Sequence, residues 1–436
     1  MSYPLTLPST DKALLLQRHR NVNKNRPAAG LTPVGQPTGK PAGKMDALIM
    51  TTAEMTSIEM MRRLIAFDTT SRNSNLQLID FVRDYLDGFG IKSLLVHDDT
   101  GKKANLFATI GPEDQGGICL SGHTDVVPVD GQDWHSDPWQ MVEKDGRLYG
   151  RGTADMKGFL AVVLAALPKF RAAGPKTPLH LLFSHDEEVG CIGVRKALAL
   201  MKDWQVKPAG CIVGEPTEMQ VTTAHKGKKS LRCHVHGHEC HSSLAPQGVN
   251  AVEYAAEIVA YLKQIGRRMA AEGPFDHDYD VPYTTVHTGV IHGGTALNIV
   301  PKDCHFDFEF RYLPGVDPEA LFGEVRGFAE ERLQPEMRRV AAESGFSWRE
   351  ISAFPGLNTA TDAEITTTTK SLAQVNGTTK VAYGTEAGLI QEIGIPTVIC
   401  GPGNIAQAHK PDEYVELAQI RQCEAFMDRL AARLAR

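Results

Sequence analysis

Two hydrophobic periods alternate along this chain, one typical of amphipathic helices and one typical of buried strands. Thr56-Ser57-Ile58-Glu59 matches a capping box and predicts a helix that extends to about Phe67. A second helix is predicted over about 75–87, where apolar residues recur at helical spacing before Gly88 and Gly90. The domain that follows residue 55 therefore begins with two helices.

Short apolar runs farther along the chain predict buried strands. These runs cover residues 105–110, 118–121, 179–183, 211–213 and 397–400. Helical stretches such as 158–170 lie between them. Strands that alternate with helices predict an α/β fold, with a mostly parallel sheet flanked by helices.

A middle segment has a different pattern. It predicts strands over 229–236, 284–291 and 304–312 and helices over 249–265 and 318–342. We interpret it as an α+β unit inserted into the α/β domain. The predicted division is a tail over 1–49, the α/β domain over 50–225 and 353–436, and the inserted unit over 226–352.

Composition and charge narrow the class of protein. A length of 436 residues favours two domains. The net charge of −6 argues against nucleic acid as the main partner. The longest wholly apolar run, 159–167, is about half a membrane span, so no contact with a membrane is expected. The eight cysteines are scattered without a C-x-x-C pair, which predicts reduced thiols and a cytoplasmic protein.

The amino-terminal segment differs from the rest. Its first 45 residues hold seven Lys or Arg and a single acid, Asp11, and residues 27–44 are rich in Pro and Gly. A disordered tail is the favoured interpretation. A start codon placed too early, with Met45 or Met50 as the true start, is an alternative. A targeting presequence is less favoured, since only 11–20 resembles an amphipathic segment.

Five polar clusters lie where an open α/β sheet places its functional site, near the carboxyl ends of strands. They surround His123 and Asp125, Asp155, Glu187 and Glu188, Glu215, and His409. Each cluster has an ordinary explanation when taken singly. Asp155 could be a helix N-cap, and Glu187-Glu188 could be an exposed acidic turn.

Taken together, the clusters indicate a metal centre. Two adjacent acids repel each other unless a cation or a proton lies between them. Two histidines and three acids, one of them from this pair, are the ligands of a two-metal hydrolase site with one shared carboxylate, and the second acid of the pair is left over. Nitrogen and oxygen ligands without thiolate suit Zn²⁺, with Co²⁺ or Mn²⁺ as substitutes. The predicted ligands are His123, Asp155, Glu188, Glu215 and His409.

Five spaced motifs resemble those of the M20 family of metallo-peptidases and deacylases, over roughly residues 55–436. They read SGHTDVVP, GRGTADMKG, HDEEVG, GEPT and AHKPDEYV. The resemblance implies a catalytic domain with two Zn²⁺ per subunit, Co²⁺ being a possible substitute. It also implies an inserted lid domain, over 226–352, that forms a homodimer.

The resemblance assigns a role to each residue of the metal centre. His123, Asp155 and Glu215 would bind one metal ion, and Asp155, Glu188 and His409 would bind the other. Asp125 resembles the acid that orients His123. Glu187 resembles the general base.

Other matches fall in the lid and in a late loop. The stretch around His241 resembles the lid histidine motif, so His241 is expected to polarise the scissile carbonyl from the partner subunit; a plain turn histidine is the alternative. Asn298 and Arg311 resemble residues that hold the substrate carboxylate, and Arg suits that grip. An ion pair on a strand face is the alternative for Arg311. Gly384 and Thr385 complete the expected substrate contacts.

The loop 383–387 and the segment 401–414 resemble most the branch of the family that removes the acetyl group from N2-acetyl-ornithine. The expected substrate is thus a small N-acyl amino acid. Deacylation of another N-acyl amino acid, desuccinylation of succinyl-diaminopimelate and dipeptide hydrolysis stay open as alternatives. A binding protein without activity is disfavoured, because no ligand or base is missing from the motifs.

Overall fold

The computed structural model describes residues 54–436. The predictions for the amino-terminal segment, including the tail over 1–49 and the alternative starts at Met45 and Met50, lie outside the described residues. Within residues 54–436, no helix combines the length and apolarity needed to cross a membrane. All eight cysteines carry free thiols, as predicted.

The first two helices form where the polar pattern predicts them. Helix α1 spans Ser57–Ile65, and helix α2 spans Leu76–Gly88. The capping box is confirmed, because Thr56 Oγ1 accepts from the Glu59 backbone N–H at 3.2 Å and Glu59 Oε2 accepts from the Thr56 N–H at 2.8 Å.

The large sheet is built from nine strands, and its centre is parallel. The order is β1-β2-β6-β3-β7-β15-β8-β13, with β14 paired to β8. Strands β6, β3, β7 and β15 are mutually parallel neighbours, whereas β1 and β2 are antiparallel additions at one edge. The bounds are β1 Ser93–His97, β2 Ala104–Ile110, β3 Ile118–His123, β6 Leu179–Ser184, β7 Gly210–Pro216, β8 Thr222–His225, β13 Leu357–Asn358, β14 Thr379–Val381 and β15 Thr397–Gly401.

Helices cover both faces of this sheet. Successive residues of a strand point to opposite faces, and in β3 Cys119 and Leu120 accordingly enter different apolar cores. The bounds of the helices are α3 Lys157–Ala165, α4 Leu167–Ala173, α5 Val194–Lys202, α9 Glu364–Ala373, α10 Ala387–Glu392 and α11 Leu417–Leu434. The predicted helix over 158–170 is divided at Ala166, since Pro168 lacks the N–H that would continue it.

A second, antiparallel sheet has the order β10-β11-β9-β12. Its bounds are β9 Gly227–His236, β10 Thr285–Gly293, β11 Asp303–Tyr312 and β12 Gly345–Phe354. One face packs on helix α6, Ala251–Glu272, and on α7, Pro318–Gly327. The other face carries polar residues. The predicted helix over 318–342 is instead α7, a π-helical segment over Phe328–Leu333 and α8 over Gln334–Val340, with Pro335 in the first turn of α8.

A small three-stranded sheet completes the fold. It is formed by β4 Val142–Lys144, β5 Arg147–Tyr149 and β16 Tyr414–Glu416, in the order β16-β5-β4. The pairing of β16 with β5 places residues 414–416 against residues 147–149. This contact holds the loop that carries His409 beside the start of α3.

Candidate active site

The predicted metal ligands converge at the carboxyl edge of the parallel strands. His123 ends β3, and Glu215 lies in β7 rather than in a turn after it. Glu188 follows β6 after a turn in which Asp186 has φ +56°. Asp155 lies two residues before α3, whose N-cap is Met156, and His409 lies on the loop between β15 and β16. Strand ends, the segment before a helix and two loops therefore supply the five side chains.

Asp155 lies between the two histidines. Its Oδ1 is 3.0 Å from His123 Nε2, and its Oδ2 is 3.1 Å from His409 Nε2. His123 Nε2 also lies 3.6 Å from Glu215 Oε1, and His409 Nε2 lies 3.0 Å from Glu188 Oε2. Each histidine thus shares Asp155 and has a second carboxylate of its own. This is the arrangement expected of two adjacent sites with a bridging carboxylate.

The donor set fits divalent cations. His123 Nδ1 lies 2.8 Å from the Asp125 carbonyl oxygen, which can only accept, so Nδ1 carries the proton and the Nε2 lone pair faces the cluster. Glu188 Oε1 is buried without a hydrogen-bond partner. Ligand atoms of His123, Asp155 and Glu188, and of His123, Glu187 and Glu215, lie within 4.8 Å of one another. Glu187 is thus close enough to be a ligand as well as a base.

The electrostatics of the cluster also favour a cation. Burial, then the neighbouring charge of Glu188, raises the pKa of Glu187 to about 8. Burial and Asp155 raise the pKa of Glu188 to about 7, and burial raises the pKa of Glu215 well above its usual value. Hydrogen bonds with Asp155 and Glu188 raise the pKa of His409 to about 10. These shifts reflect an excess of negative charge in a buried site, which divalent cations would offset.

Asp125 was expected to orient His123 through its carboxylate, but its backbone carbonyl oxygen makes the closer contact. Its carboxylate lies 3.6 Å from His123 Nδ1, farther than its own carbonyl oxygen. The carboxylate instead accepts from Ser71 Oγ at 2.7 Å and from the Glu187 backbone N–H at 3.1 Å. Asp125 therefore holds His123 through its backbone and the Glu187 turn through its side chain.

A buried ion pair supports the segment that carries Asp155. Arg151 Nη1 donates to Glu413 Oε2 at 2.6 Å, and both side chains are at most 1% exposed. The Glu413 carboxylate also accepts from the backbone N–H groups of Gly152, Ala154 and Asp155. Arg151 Nη2 donates to Gln132, whose amide donates to the His409 carbonyl oxygen at 3.0 Å. One network thus positions both Asp155 and His409.

Glu187 has buried neighbours that the sequence did not indicate. Its Oε1 accepts from Cys191 Sγ at 3.2 Å. Lys228 lies near the start of β9. Burial, then the positive charge of Arg311, lowers the pKa of Lys228, and the negative charge of Glu187 acts in the opposite direction. Glu386 is 1% exposed and accepts from Ser184 Oγ at 2.8 Å. Arg151 and Glu413 stand within recognised motifs, but no sequence signal indicates that they pair.

The remaining predicted site residues lie away from the cluster or play a structural part. His241 and Asn298 are exposed and adjacent, since Ser242 N–H donates to the Asn298 carbonyl oxygen at 3.0 Å. Arg311 Nε donates to Glu309 at 2.9 Å. Among residues 54–436, no hydrogen bond or ion pair joins these three to the five clustered ligands.

Gly384 and Thr385 start the turn that leads into α10. A Cβ at Gly384 would lie 2.1 Å from the Phe354 ring, so only glycine fits there. Thr385 is buried, and its Oγ1 accepts from the Ala387 backbone N–H at 3.0 Å. Both residues have a clear structural use in shaping this turn.

A doubly wound sheet that carries a candidate two-metal centre at its carboxyl edge defines a metallo-hydrolase architecture. The chain belongs to peptidase family M20/M25/M40, whose sequence profile matches residues 119–433. The family resemblance is thereby confirmed, and the chain is an enzyme of this hydrolase family.

Relatives agree with that assignment, and solved structures share the fold. The chain is 36% identical over 379 residues to the acetylornithine deacetylase of Myxococcus xanthus, covering 85% of this chain and 96% of the relative. It is 35% identical to that of Proteus mirabilis, covering 86% and 96%. A metallo-carboxypeptidase of Sulfolobus solfataricus shares the fold with a TM-score of 0.69 at 16% identity, over 87% of this chain and 99% of the other. Aminopeptidase PepT of Bacillus cereus gives 0.66 at 19%, over 88% and 100%.

Proposed function

We propose that this enzyme removes the acetyl group from N2-acetyl-ornithine and releases ornithine and acetate. The observation that carries the proposal is the convergence of two histidines and three carboxylates around Asp155, with Glu187 beside them. The choice of substrate rests on relatives named acetylornithine deacetylase, 34–36% identical over 94–96% of their length. The free thiols support a cytoplasmic location.

Two divalent metal ions belong to the proposed centre. His123, Asp155 and Glu215 would hold one ion, and Asp155, Glu188 and His409 the other. Zn²⁺ is the favoured ion and Co²⁺ a substitute, since the donors are imidazole nitrogens and carboxylate oxygens. When bound, such ions lower the pKa of water and polarise a carbonyl oxygen.

Glu187 is proposed to move the proton. Its carboxylate takes a proton from the attacking water, whose oxygen adds to the acetyl carbon. The carbon–nitrogen bond then breaks, and Glu187 returns the proton to the leaving amine. Nearby cations favour the ionised form of a carboxyl group, so Glu187 would start as a base. The hydrogen bond from Cys191 and the Asp125 contact to its backbone hold it in place.

The substrate carboxylate is proposed to bind at the end of the cluster that faces β9 and β11. Lys228 lies near enough to Glu187 for the two charges to interact, and both Lys228 and Arg311 contact Glu309. These two cations would attract the substrate carboxylate. Asn298 and the Gly384-Thr385 turn would complete the contact. Glu386 is buried against Ser184, and this position does not favour contact with the ornithine side chain.

We propose that residues 226–352 are a lid domain through which two subunits form a homodimer. Strand β10 is an edge of its sheet, and Val290 and Ile291 on it are exposed. Leu297, next to Asn298, is 101% exposed. Single exposed apolar side chains are ordinary, but several grouped along one strand and the loop after it are typical of a contact surface. His241, which is exposed in its own subunit, would then act in the partner's site and polarise the acetyl carbonyl.

Mixing two inactive variants is expected to restore activity. In a mixed dimer of Glu187→Gln and His241→Ala subunits, one of the two sites has an intact Glu187 and an intact His241. Random exchange should therefore restore about a quarter of wild-type turnover. Each variant taken alone through the same dissociation and reassociation is the control. Proven subunit exchange without recovery would place His241 in its own subunit's site or outside catalysis.

Substrate choice is expected to follow the acyl group and the side chain together. With zinc-loaded enzyme, kcat/KM for N2-acetyl-ornithine should exceed that for N-acetyl-methionine and N-succinyl-diaminopimelate by at least about tenfold, since one lost polar contact costs about 1.4 kcal/mol or more. Initial rates of amine release measure this. A higher kcat/KM for N-acetyl-methionine, for N-succinyl-diaminopimelate or for a dipeptide would show that the proposed substrate is wrong. The reaction class, amide hydrolysis, would stand.

A further inference from the structure

The second sheet, β10-β11-β9-β12, is called the lid sheet below, and its open face is the one opposite helices α6 and α7. This open face carries a grid of three histidines and an acid. His234 and His236 are two residues apart on β9, so their side chains point to the same face. On the neighbouring strand β11, Asp303 is the register partner of His236, and His305 is the register partner of His234. Four side chains with metal-binding chemistry therefore occupy four adjacent positions on two paired strands.

Two of the histidines already converge on one oxygen. Asp303 Oδ1 lies 3.1 Å from His236 Nδ1 and 3.7 Å from His234 Nε2. Two ligands at about 2.0–2.2 Å from a tetrahedral ion lie about 3.3 Å apart, and the two observed distances bracket that value. The side chains of His234, His236 and Asp303 are 44–49% exposed, so an ion can reach them.

The surroundings leave Asp303 and His305 available. A hollow of about 250 Å³ is lined by both of them and by His292, Glu239 and Lys302, so one cation, Lys302, also lies there. In the next row of the grid, Arg232 binds the neighbouring acid Asp307 at 2.6 Å, which leaves Asp303 to the histidines.

His305 lies beside these three side chains, as the register partner of His234 and two residues after Asp303 on the same face of β11. Its ring lies 5.4 Å from that of His292.

We propose that His234, His236, Asp303 and His305 bind a third metal ion, Zn²⁺ or another divalent transition metal, on the open face of the lid. Three imidazoles and one carboxylate are a donor set of zinc chemistry. The donor atoms of these four residues do not all lie within 4.8 Å of one another in this structure. Binding would therefore require rotation of the half-exposed His234 and His236 rings and of the partly exposed His305 ring, and side chains at the surface rotate on the nanosecond scale. None of these four residues belongs to the cluster around Asp155, so the site does not depend on the proposed deacetylase function.

The bound ion would join β9 to β11. A ligand that binds only the folded state raises stability in proportion to the logarithm of its concentration. We compare two proteins whose catalytic centres are already loaded with zinc. Further Zn²⁺ should raise the Tm of the wild-type enzyme more than that of a variant without His234 and His236.

Zinc content after equilibrium dialysis tests the proposal on the full-length enzyme. The His234→Ala/His236→Ala variant should retain one zinc ion fewer per chain than the wild type, with turnover unchanged. His97→Ala, which removes an exposed histidine from β1, is the matched control and should retain the wild-type content. Unchanged turnover of the double variant shows that its lost zinc did not come from the catalytic centre.

The single variant Asp303→Asn separates a built site from a pair of surface histidines. It keeps the shape of the side chain and should weaken lid zinc binding by about tenfold or more, because a charged ligand is lost. The proposal is overturned if the double alanine variant retains as much zinc as the wild type. It is also overturned if Asp303→Asn leaves the affinity unchanged.

Discussion

Glu187→Gln is expected to lower kcat by about 10²- to 10⁴-fold, the usual contribution of a positioned general base. Glutamine keeps the size of the side chain and its ability to accept from Cys191, but it cannot take a proton from water. Since Glu187 is not one of the five proposed ligands, both metal ions should remain. Steady-state kinetics and metal analysis of the same preparation measure the two effects.

Glu143→Gln, on the exposed strand β4, is the matched control and should leave both quantities unchanged. Loss of one metal ion in Glu187→Gln would mean that Glu187 is a metal ligand. This alternative is geometrically feasible, because the donor atoms of Glu187, His123 and Glu215 lie within 4.8 Å of one another. Near-normal turnover would remove Glu187 from the proton-transfer step altogether.

Glu413→Gln is expected to lower the free energy of unfolding by about 3–5 kcal/mol, the cost of leaving a buried charge without its partner. Arg151 is 1% exposed, and Glu413 is its carboxylate partner at 2.6 Å. The same change weakens the contacts to the Asp155 backbone, so metal affinity should fall with stability. Urea unfolding and competition with a chelator give the two numbers.

Glu416→Gln is the control, because its pair with Arg147 is exposed and such pairs contribute about 0–1 kcal/mol. Arg151→Met combined with Glu413→Leu should recover much of the lost stability, since an apolar pair can replace a buried ion pair. Metal affinity should stay low in that double variant, because the backbone contacts are still missing. If stability and metal affinity both recover in the double variant, the Arg151–Glu413 network stabilises the fold but does not position the metal ligands.

The sequence predicts the parallel strands and their polar ends well for a physical reason. Each of β3, β6, β7 and β15 is buried on both faces and appears as a short apolar run. The polar residue after such a run is forced to the carboxyl edge of the sheet. Local pattern thus determines where His123 and Glu188 lie, although it says nothing of their distance.

Contacts between distant segments were not predictable in the same way. Arg151 and Glu413 are 262 positions apart, and the pairing of β5 with β16 helps to bring them together. Strand β12 was missed, because a bulge between Glu350 and Ser352 interrupts its alternation. Helix α6 continues to Glu272, beyond the predicted end at 265, because Met269 packs into the lid core past Gly266.

The most direct test of the central claim is release of ornithine and acetate from N2-acetyl-ornithine by three proteins: the metal-free wild type, the zinc-restored wild type and the zinc-loaded Asp155→Asn variant. The account predicts no turnover after removal of metal with a chelator and full turnover after zinc is restored. It also predicts no turnover when the zinc-loaded protein carries Asp155→Asn, which removes the shared ligand. Turnover that survives chelation, or a fully zinc-loaded wild-type enzyme that leaves the substrate intact, would contradict it.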